Sequence, residues 1–358
     1  MGMNSENKLF WLPAAMFLFL VTAMTFASVF LAEKEIIFPE VAAIAAGALL
    51  SPKLCWQTDR RRIFISIMLC ALLGMLIVRF LPGSAAFKMT VGYALSQLLL
   101  LLSGTSFVPM ISAMVLPVLL NTATPLYLVS AAVFTALVLF FSFLLEISGL
   151  RPAVRYVPLA APDTAGFRDL FYRTLIAGAV IAAAQSLHLP FIAAPPLLVA
   201  FTEFAKPGSK AVKNPLPVVL FIALSAASGS VLRLFLTEKE GLPLFLSAAA
   251  ASLLYIVLLY KTRLFIPPAG AVMLLAMLVP ADRLLIYPVL ILTGCGIFML
   301  SAMGLDRIRN RRSPVPSQAP SAAPMITIPI TASRIAKYCL PESFSFRKIL
   351  AQITENIQ

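Results

Sequence analysis

Nearly unbroken apolar runs of about 20 residues recur in this chain from Trp11 to Met303, and each is long enough to cross a bilayer as a helix. That pattern leaves few folds open, because in lipid every backbone N–H and C=O must find its partner inside the protein. A β-barrel would alternate apolar and polar residues in segments of roughly ten; these runs are solidly apolar. Hydrophobic residues make up 60% of the chain and charged residues 12%, which excludes an ordinary soluble domain. The fold class is therefore an all-α, polytopic transmembrane helical bundle.

The formal charge of +13 has a topological reading. Its Lys and Arg residues sit in short loops between spans, so no nucleic-acid partner is expected. Six spans fit in each half: 11–31, 36–50, 63–81, 89–102, 107–120 and 126–145, then 171–187, 190–205, 218–236, 243–260, 265–280 and 286–303. A signal peptide is the alternative for the first of them; a retained span is preferred because 171–187 is its counterpart in the second half. With a cytosolic N-terminus, the inner side receives Lys8, Lys53, Arg60–Arg62, Arg151, Arg155, Arg168, Arg173, Lys206, Lys210, Lys213, Lys261, Arg263 and the Arg307–Arg312 cluster. The outer side receives only Lys34, Arg79, Lys88, Arg233, Lys239 and Arg283. This bias predicts about 12 spans with both termini cytosolic, and hence two parallel six-span repeats. The domains follow as 1–146, a cytosolic linker 147–170, 171–306, and a basic, Pro/Ser-rich tail 307–358. The expected location is the bacterial cytoplasmic membrane.

The repeat rests on the order of features more than on identity. At an offset of 155, Pro52 meets Pro207, Gly74 meets Gly229 and Phe80-Leu81 meets Phe235-Leu236. In both halves a short Pro-bearing segment precedes a basic loop, a long span and a later Pro-started span. The short segments Ile36–Leu50 and Pro190–Ala205 reach only roughly 24 Å as helix against a core near 30 Å. Short interrupted segments at matching positions in two halves point to a transporter's binding site.

The candidate solute-binding residues follow from those segments. Pro267, Pro268, Ala269, Gly270 and Ala271 write a helix start in the middle of apolar material, with Pro109 and Ser112 in the looser first-half copy. A helix starting inside the membrane turns N–H groups and partial positive charge toward whatever lies before it, so the N–H groups of Ala269, Gly270 and Ala271 would suit a small anion. The alternative is that these prolines only start or kink ordinary spans at the interface. Pro195, Pro196, Thr202 and Glu203 join the set from the short second-half segment. Glu203, beside Thr202 and just before Lys206, is the carboxylate given most weight: if buried it would pair with Lys206 or carry protons, and at the interface it would be solvated. Glu40, read near the outer end of the matching segment, receives less. Lys206, Lys210 and Lys213 would draw an anion to the cytosolic mouth. Arg79 and Arg233 end the same span in each half and are expected to reach outward to the interface. Two small-residue stretches, Ser225–Ser230 and Ser247–Ser252, read as packing seams.

No catalytic motif, metal-ligand spacing or nucleotide-binding loop is present, so no enzyme activity, metal or cofactor is expected. The cysteines (Cys55, Cys70, Cys295, Cys339) show no paired spacing, and the single histidine is His188. Transport would be passive or ion-coupled. The partners are the bilayer and a small solute, with a homo-oligomer left open.

Ile266-Pro267-Pro268-Ala269-Gly270-Ala271, placed after two spans and a basic loop, resembles the His-Pro-Pro-Ala-Gly-Ala motif of the HPP family of integral membrane proteins. Leu197–Asn214 is similar to that family's other signature region, and the resemblance covers roughly 171–303. It implies a transport-type role, some plant members being linked to nitrite movement across the chloroplast envelope. An isoleucine stands at 266 where the family has its histidine, and the first half keeps only Pro109 and Ala113 of the motif. The leading expectation is a transporter or channel for a small solute, an inorganic anion first. The alternative is a non-transporting scaffold or accessory subunit of a membrane complex.

Overall fold

A computed structural model describes residues 5–152 and 156–312, apart from the side chains of 5–9 and 310–312. The expected Pro/Ser-rich tail beyond residue 312, Arg155 and Cys339 lie outside the described residues. All regular structure among the described residues is helical. The first half contains α1 (Ser5–Phe30), α2 (Glu40–Ala45), α3 (Arg60–Phe80), α4 (Ala85–Leu102), α5 (Met110–Leu120) and α6 (Pro125–Ile147). The second contains α7 (Thr164–Ser186), α8 (Pro195–Phe204), α9 (Pro215–Leu232), α10 (Leu244–Thr262), α11 (Pro267–Leu275) and α12 (Tyr287–Arg312). Seven of these are long and apolar enough to cross a membrane: α1, α3, α4, α6, α9, α10 and α12. Helix α7 is equally long, at 23 residues, but carries Arg168, Asp169 and Arg173 in its first half.

Two kinds of helix divide the work. The long helices are two-faced, and Ile65, Leu69, Leu72 and Leu76 of α3 form an exposed stripe at helical spacing, as Leu216, Leu220 and Leu224 do on α9. These stripes suit lipid contact. The short helices are apolar all round and buried all round, as such helices must be. Every residue of Glu40–Leu50, of Met110–Val118 and of Pro268–Leu275 is buried, and in α8 only Glu203 is not. Each short helix follows a non-helical approach: a single turn Lys34–Ile36 and extended backbone before Glu40, a second turn Pro190–Ala193 before α8, and loops before α5 and α11. The expected segments 36–50, 107–120, 190–205 and 265–280 are thus half helix and half approach. Helix α2 also ends in a widened turn, Ala46–Leu50.

The same contacts occur in both halves. Tyr127 on α6 donates to the Ala113 carbonyl (3.0 Å), and Tyr287 on α12 donates to that of Val272 (2.7 Å). Phe38 meets Tyr127 edge-on at 5.6 Å and 84°, and Phe191 meets Tyr287 at 5.6 Å and 85°. Neighbours run antiparallel across the halves. Phe10 at the start of α1 lies against Tyr260 at the end of α10, and Phe26 near its end lies against Phe245 at the start. Helices α7 and α4 repeat this, with Gly166 near Leu101 and Gly178 near Thr90. The ion pair Arg60–Glu146 (2.7 Å) ties the start of α3 to the end of α6, and Arg309–Asp169 (2.7 Å) ties α12 to the start of α7.

The seam at Ser225–Ser230 is built as expected: Ser225 and Ser230 donate to Phe221 and Ala226 carbonyls at 2.8 and 3.0 Å, leaving a small-residue surface for packing. Arg233 is a correction. Instead of reaching outward it is buried, donates to the carbonyls of Ala276 (2.9 Å) and Val279 (2.6 Å) beyond α11, and pairs with Glu238 at 2.9 Å. Those carbonyls have no intrahelical donor, and a buried cation there satisfies them and the negative helix end together. Arg79, by contrast, is exposed.

Glycine sets the closest approach between long and short helices. A Cβ on Gly74 would run into the Met114 carbonyl oxygen of α5, and one on Gly229 into the Met273 carbonyl oxygen of α11. Backbone cannot yield there as a flexible side chain would. Gly74→Val and Gly229→Val are each expected to destabilise the folded protein by at least about 1–3 kcal/mol, the ordinary cost of overpacking. Gly296→Ala, where nothing lies within 4 Å of the added carbon, should be close to neutral. Thermal unfolding in detergent, followed by size-exclusion, checks both.

Candidate functional site

The four short helices begin around one place. A narrow cavity of about 10 Å³, room for roughly one water, is lined by Glu40 and Ala43 of α2, Pro109 and Ser112 at the start of α5, Pro196 and Val199 of α8, and Pro268 and Ala271 of α11. Each helix contributes residues i and i+3 of its first turn, which share one face. Pro109, Ser112, Pro196, Pro268 and Ala271 are therefore brought together as the sequence pattern suggested. Pro195, Pro267, Ala269 and Gly270 lie beside them in the same first turns, with Gly270 packed against the Ala42 carbonyl of α2.

Local sequence explains the convergence. Pro has no N–H to leave unsatisfied, so it can start a helix inside apolar surroundings at no hydrogen-bonding cost. One first-turn donor of each helix closes on a carbonyl just upstream: Val41 on Phe38 (3.0 Å), Ile111 on Val108 (3.0 Å), Leu197 on Ala194 (2.8 Å) and Ala269 on Ile266 (3.0 Å). The expected free N–H of Ala269 is thus already engaged. What these starts present is the partial positive charge of three helices of 9 to 11 residues and of α2, more than a row of free donors.

Glu40 is the one ionisable side chain in the cavity lining. It is 1% exposed; Ser112 donates to its Oε1, and its Oε2 has no hydrogen-bond partner. Counting along a helix from Ile36 placed this carboxylate near an outer end. The helix begins at Glu40 itself, so the carboxylate stands in a buried first turn and lines the cavity.

The remaining sequence candidates lie elsewhere. Glu203 sits seven residues along α8 from Pro196, about 10 Å away by helical rise, 30% exposed and paired with Lys206 at 2.7 Å. Lys210 and Lys213 are exposed on a single turn of helix beyond it. Thr202 is a structural tie between the halves. Its hydroxyl donates to Leu198 O (2.9 Å) and accepts from Gln97 Nε2 (2.6 Å) and Tyr93 Oη (3.0 Å) of α4.

A second, wider cavity of about 480 Å³ opens beside the loop after α2, lined by Lys53–Thr58, Ser106, Pro152, Tyr156 and Val157. Trp56 stands at its inner wall, stacked edge-on against Phe107 at 5.1 Å and resting on Gly47 of α2. Arg151 is buried here and donates to the Leu49 and Ser51 carbonyls at the end of α2. Burial pulls its guanidinium down to about 10, which still leaves it charged at neutral pH. Nothing in the residue pattern of this loop points to the recess; Lys53 and Arg151 read only as basic residues of the inner side.

Thr202→Val keeps the side-chain shape and strands two buried donors on α4. It is expected to lower stability by about 1–3 kcal/mol per stranded donor. Lys206→Ala removes only a part-exposed ion pair and should cost under about 1 kcal/mol. Denaturant unfolding in detergent separates the two.

Residues 165–314 match the family model described as HPP, transmembrane region, so the match begins at α7 and takes in α11 with its Pro-Pro-Ala-Gly-Ala start. No curated protein matches the chain, and no solved structure matches it.

Proposed function

We propose that this membrane protein, whose residues 165–314 match the HPP transmembrane-region model, moves a small solute, in the first place a small inorganic anion, through the cavity where its short helices begin. The observation that carries this reading is the cavity lining: four helix starts, two from each half, supply matched first-turn residues to one buried point. Irregular backbone inside a membrane protein is tolerated where it lines a path or is buried in protein, and broken helices with inward starts are how many transporters hold their cargo. Positive helix ends favour an anion, and the prolines and alanines around them let it approach closely. The narrowness of the cavity fits an occluded state, with the recess beside Trp56 as the vestibule on one side.

The same reading takes each half as six passes, two of them half helix and half extended approach. The recurring Tyr127 and Tyr287 contacts and the paired Gly74 and Gly229 approaches support a duplicated, parallel arrangement. Both termini then face the cytosol, with the loops at 53–62 and 206–213 beside them.

Transport is tested with purified full-length protein in liposomes, following nitrate, nitrite and other small anions. Flux above that of empty liposomes is expected, and Ala271→Leu, which fills the cavity, should abolish it while the lipid-facing Ala183→Leu leaves it intact. No flux for any anion of the panel would sink the reading. For topology, Ser209→Cys should be labelled by an impermeant thiol reagent only from the cytosolic side and Lys239→Cys only from the outside. Labelling of both from one side would exclude the six-pass half.

A further inference from the structure

Within the transport reading, on which this inference rests, one feature of the cavity is asymmetric. Four helix starts surround it, and at the α5, α8 and α11 starts the matching lining positions carry Pro109, Pro196 and Pro268. Only α2 carries a carboxylate. We propose that Glu40 is the proton-binding site of the transporter, so that each anion passing the cavity is accompanied by a proton carried on Glu40 Oε2.

The geometry argues for a proton over a metal cation. Among the lining residues only Glu40 and Ser112 have side-chain oxygens, too few for a sodium or divalent ion, and no cluster of metal-binding side chains occurs among the described residues. Oε1 accepts from Ser112 while Oε2 is buried without a partner, so the free oxygen is the one available to a proton. One hydrogen bond does not replace the water that a carboxylate loses on burial. The charged groups around it do not replace it either. Helices α5, α8 and α11 present no basic side chain to the cavity, and α1 has no titratable residue between Phe10 and Phe30. On α6 the nearest titratable group is Tyr127, whose hydroxyl is spent on the Ala113 carbonyl, with Cys70 of α3 beyond it.

The step balances simply. Glu40 carboxylate and an incoming anion repel each other in a dry cavity. When water on one side delivers a proton to Oε2, an O–H bond forms, the side chain becomes neutral, and the positive helix ends are left to the anion. On the other side the proton returns to water, the carboxylate is restored, and the anion is expelled. The net movement is one proton with one anion, and no other reactant is needed.

The test uses the full-length protein in liposomes containing a pH-sensitive dye, with nitrate as the probe because its acid is fully ionised. Potassium and valinomycin hold the membrane potential at zero, so protons cannot follow merely to balance charge. An inward nitrate gradient is expected to acidify the lumen of wild-type liposomes, and flux should fall about tenfold per unit of rising pH once the carboxyl is mostly ionised. Glu40→Gln should pass nitrate without protons and with a flat pH profile. Ser112→Ala, which keeps the acid and deletes a hydrogen bond to its charged form, should keep coupling and shift the profile to higher pH; this decides the matter if Glu40→Gln does not fold. Wild-type nitrate flux without acidification, or unchanged coupling in Glu40→Gln, would overturn the inference alone. Absence of any anion flux in the wild type would overturn the transport reading and this inference with it.

Discussion

Everything in this structure answers to one constraint: backbone polar groups in an apolar medium must be paired inside the protein. A chain that breaks its helices part-way cannot leave the broken backbone against lipid. The four broken segments therefore lie at the centre, where Pro39, Pro109, Pro195–Pro196 and Pro267–Pro268 remove donors that would have no partner. A carbonyl just before each helix engages one of the donors that remain. The long helices form the surrounding layer, with aliphatic stripes outward and small residues inward. Gly74 and Gly229 let them press directly onto the backbone of α5 and α11.

That solution has an electrostatic consequence. Bringing four helix starts to one point concentrates partial positive charge in a place that water barely enters, and the sequence supplies one carboxylate there. The opposite ends are handled separately, by cations: Arg233 on the carbonyls beyond α11, Arg151 on those of α2, and Arg173 and Arg309 on Ala205 O at the end of α8. Charge is thus placed at both ends of three of the four short helices, and the polar groups used for it are few. This economy is why Glu40 stands out as the ionisable group of the cavity.

Much of this was legible in the residues. Short Pro-bearing segments at matching positions identified the central helices, and Pro109, Ser112, Pro196, Pro268 and Ala271 do share one cavity. The pattern failed where depth mattered. Glu40 reads as near the end of an unbroken segment from Ile36, whereas the Pro39 break starts the helix at Glu40 and sets its carboxylate in the cavity lining. Glu203 drew attention because it lies in a short span, yet it falls in the last turn of α8, where Lys206 and solvent reach it. Thr202 looked like a ligand for the same reason, and the partners that make it structural, Tyr93 and Gln97, are far away in the chain. Arg233 resembled Arg79 by position, but only Arg233 has Glu238 and two open carbonyls within reach. The wide recess beside Trp56 was invisible because it depends on how a loop folds back.

The central claim is that helix starts from both halves meet at one point, and proximity across the cavity tests it most directly. With the native cysteines replaced by serine, Ala43→Cys combined with Ala271→Cys joins α2 to α11, and Ser112→Cys combined with Val199→Cys joins α5 to α8. Oxidation in native membranes is predicted to form a disulfide within a single chain for both pairs, seen as a reductant-sensitive mobility shift of the monomer. Failure of both pairs to cross-link in protein that remains folded would contradict the account.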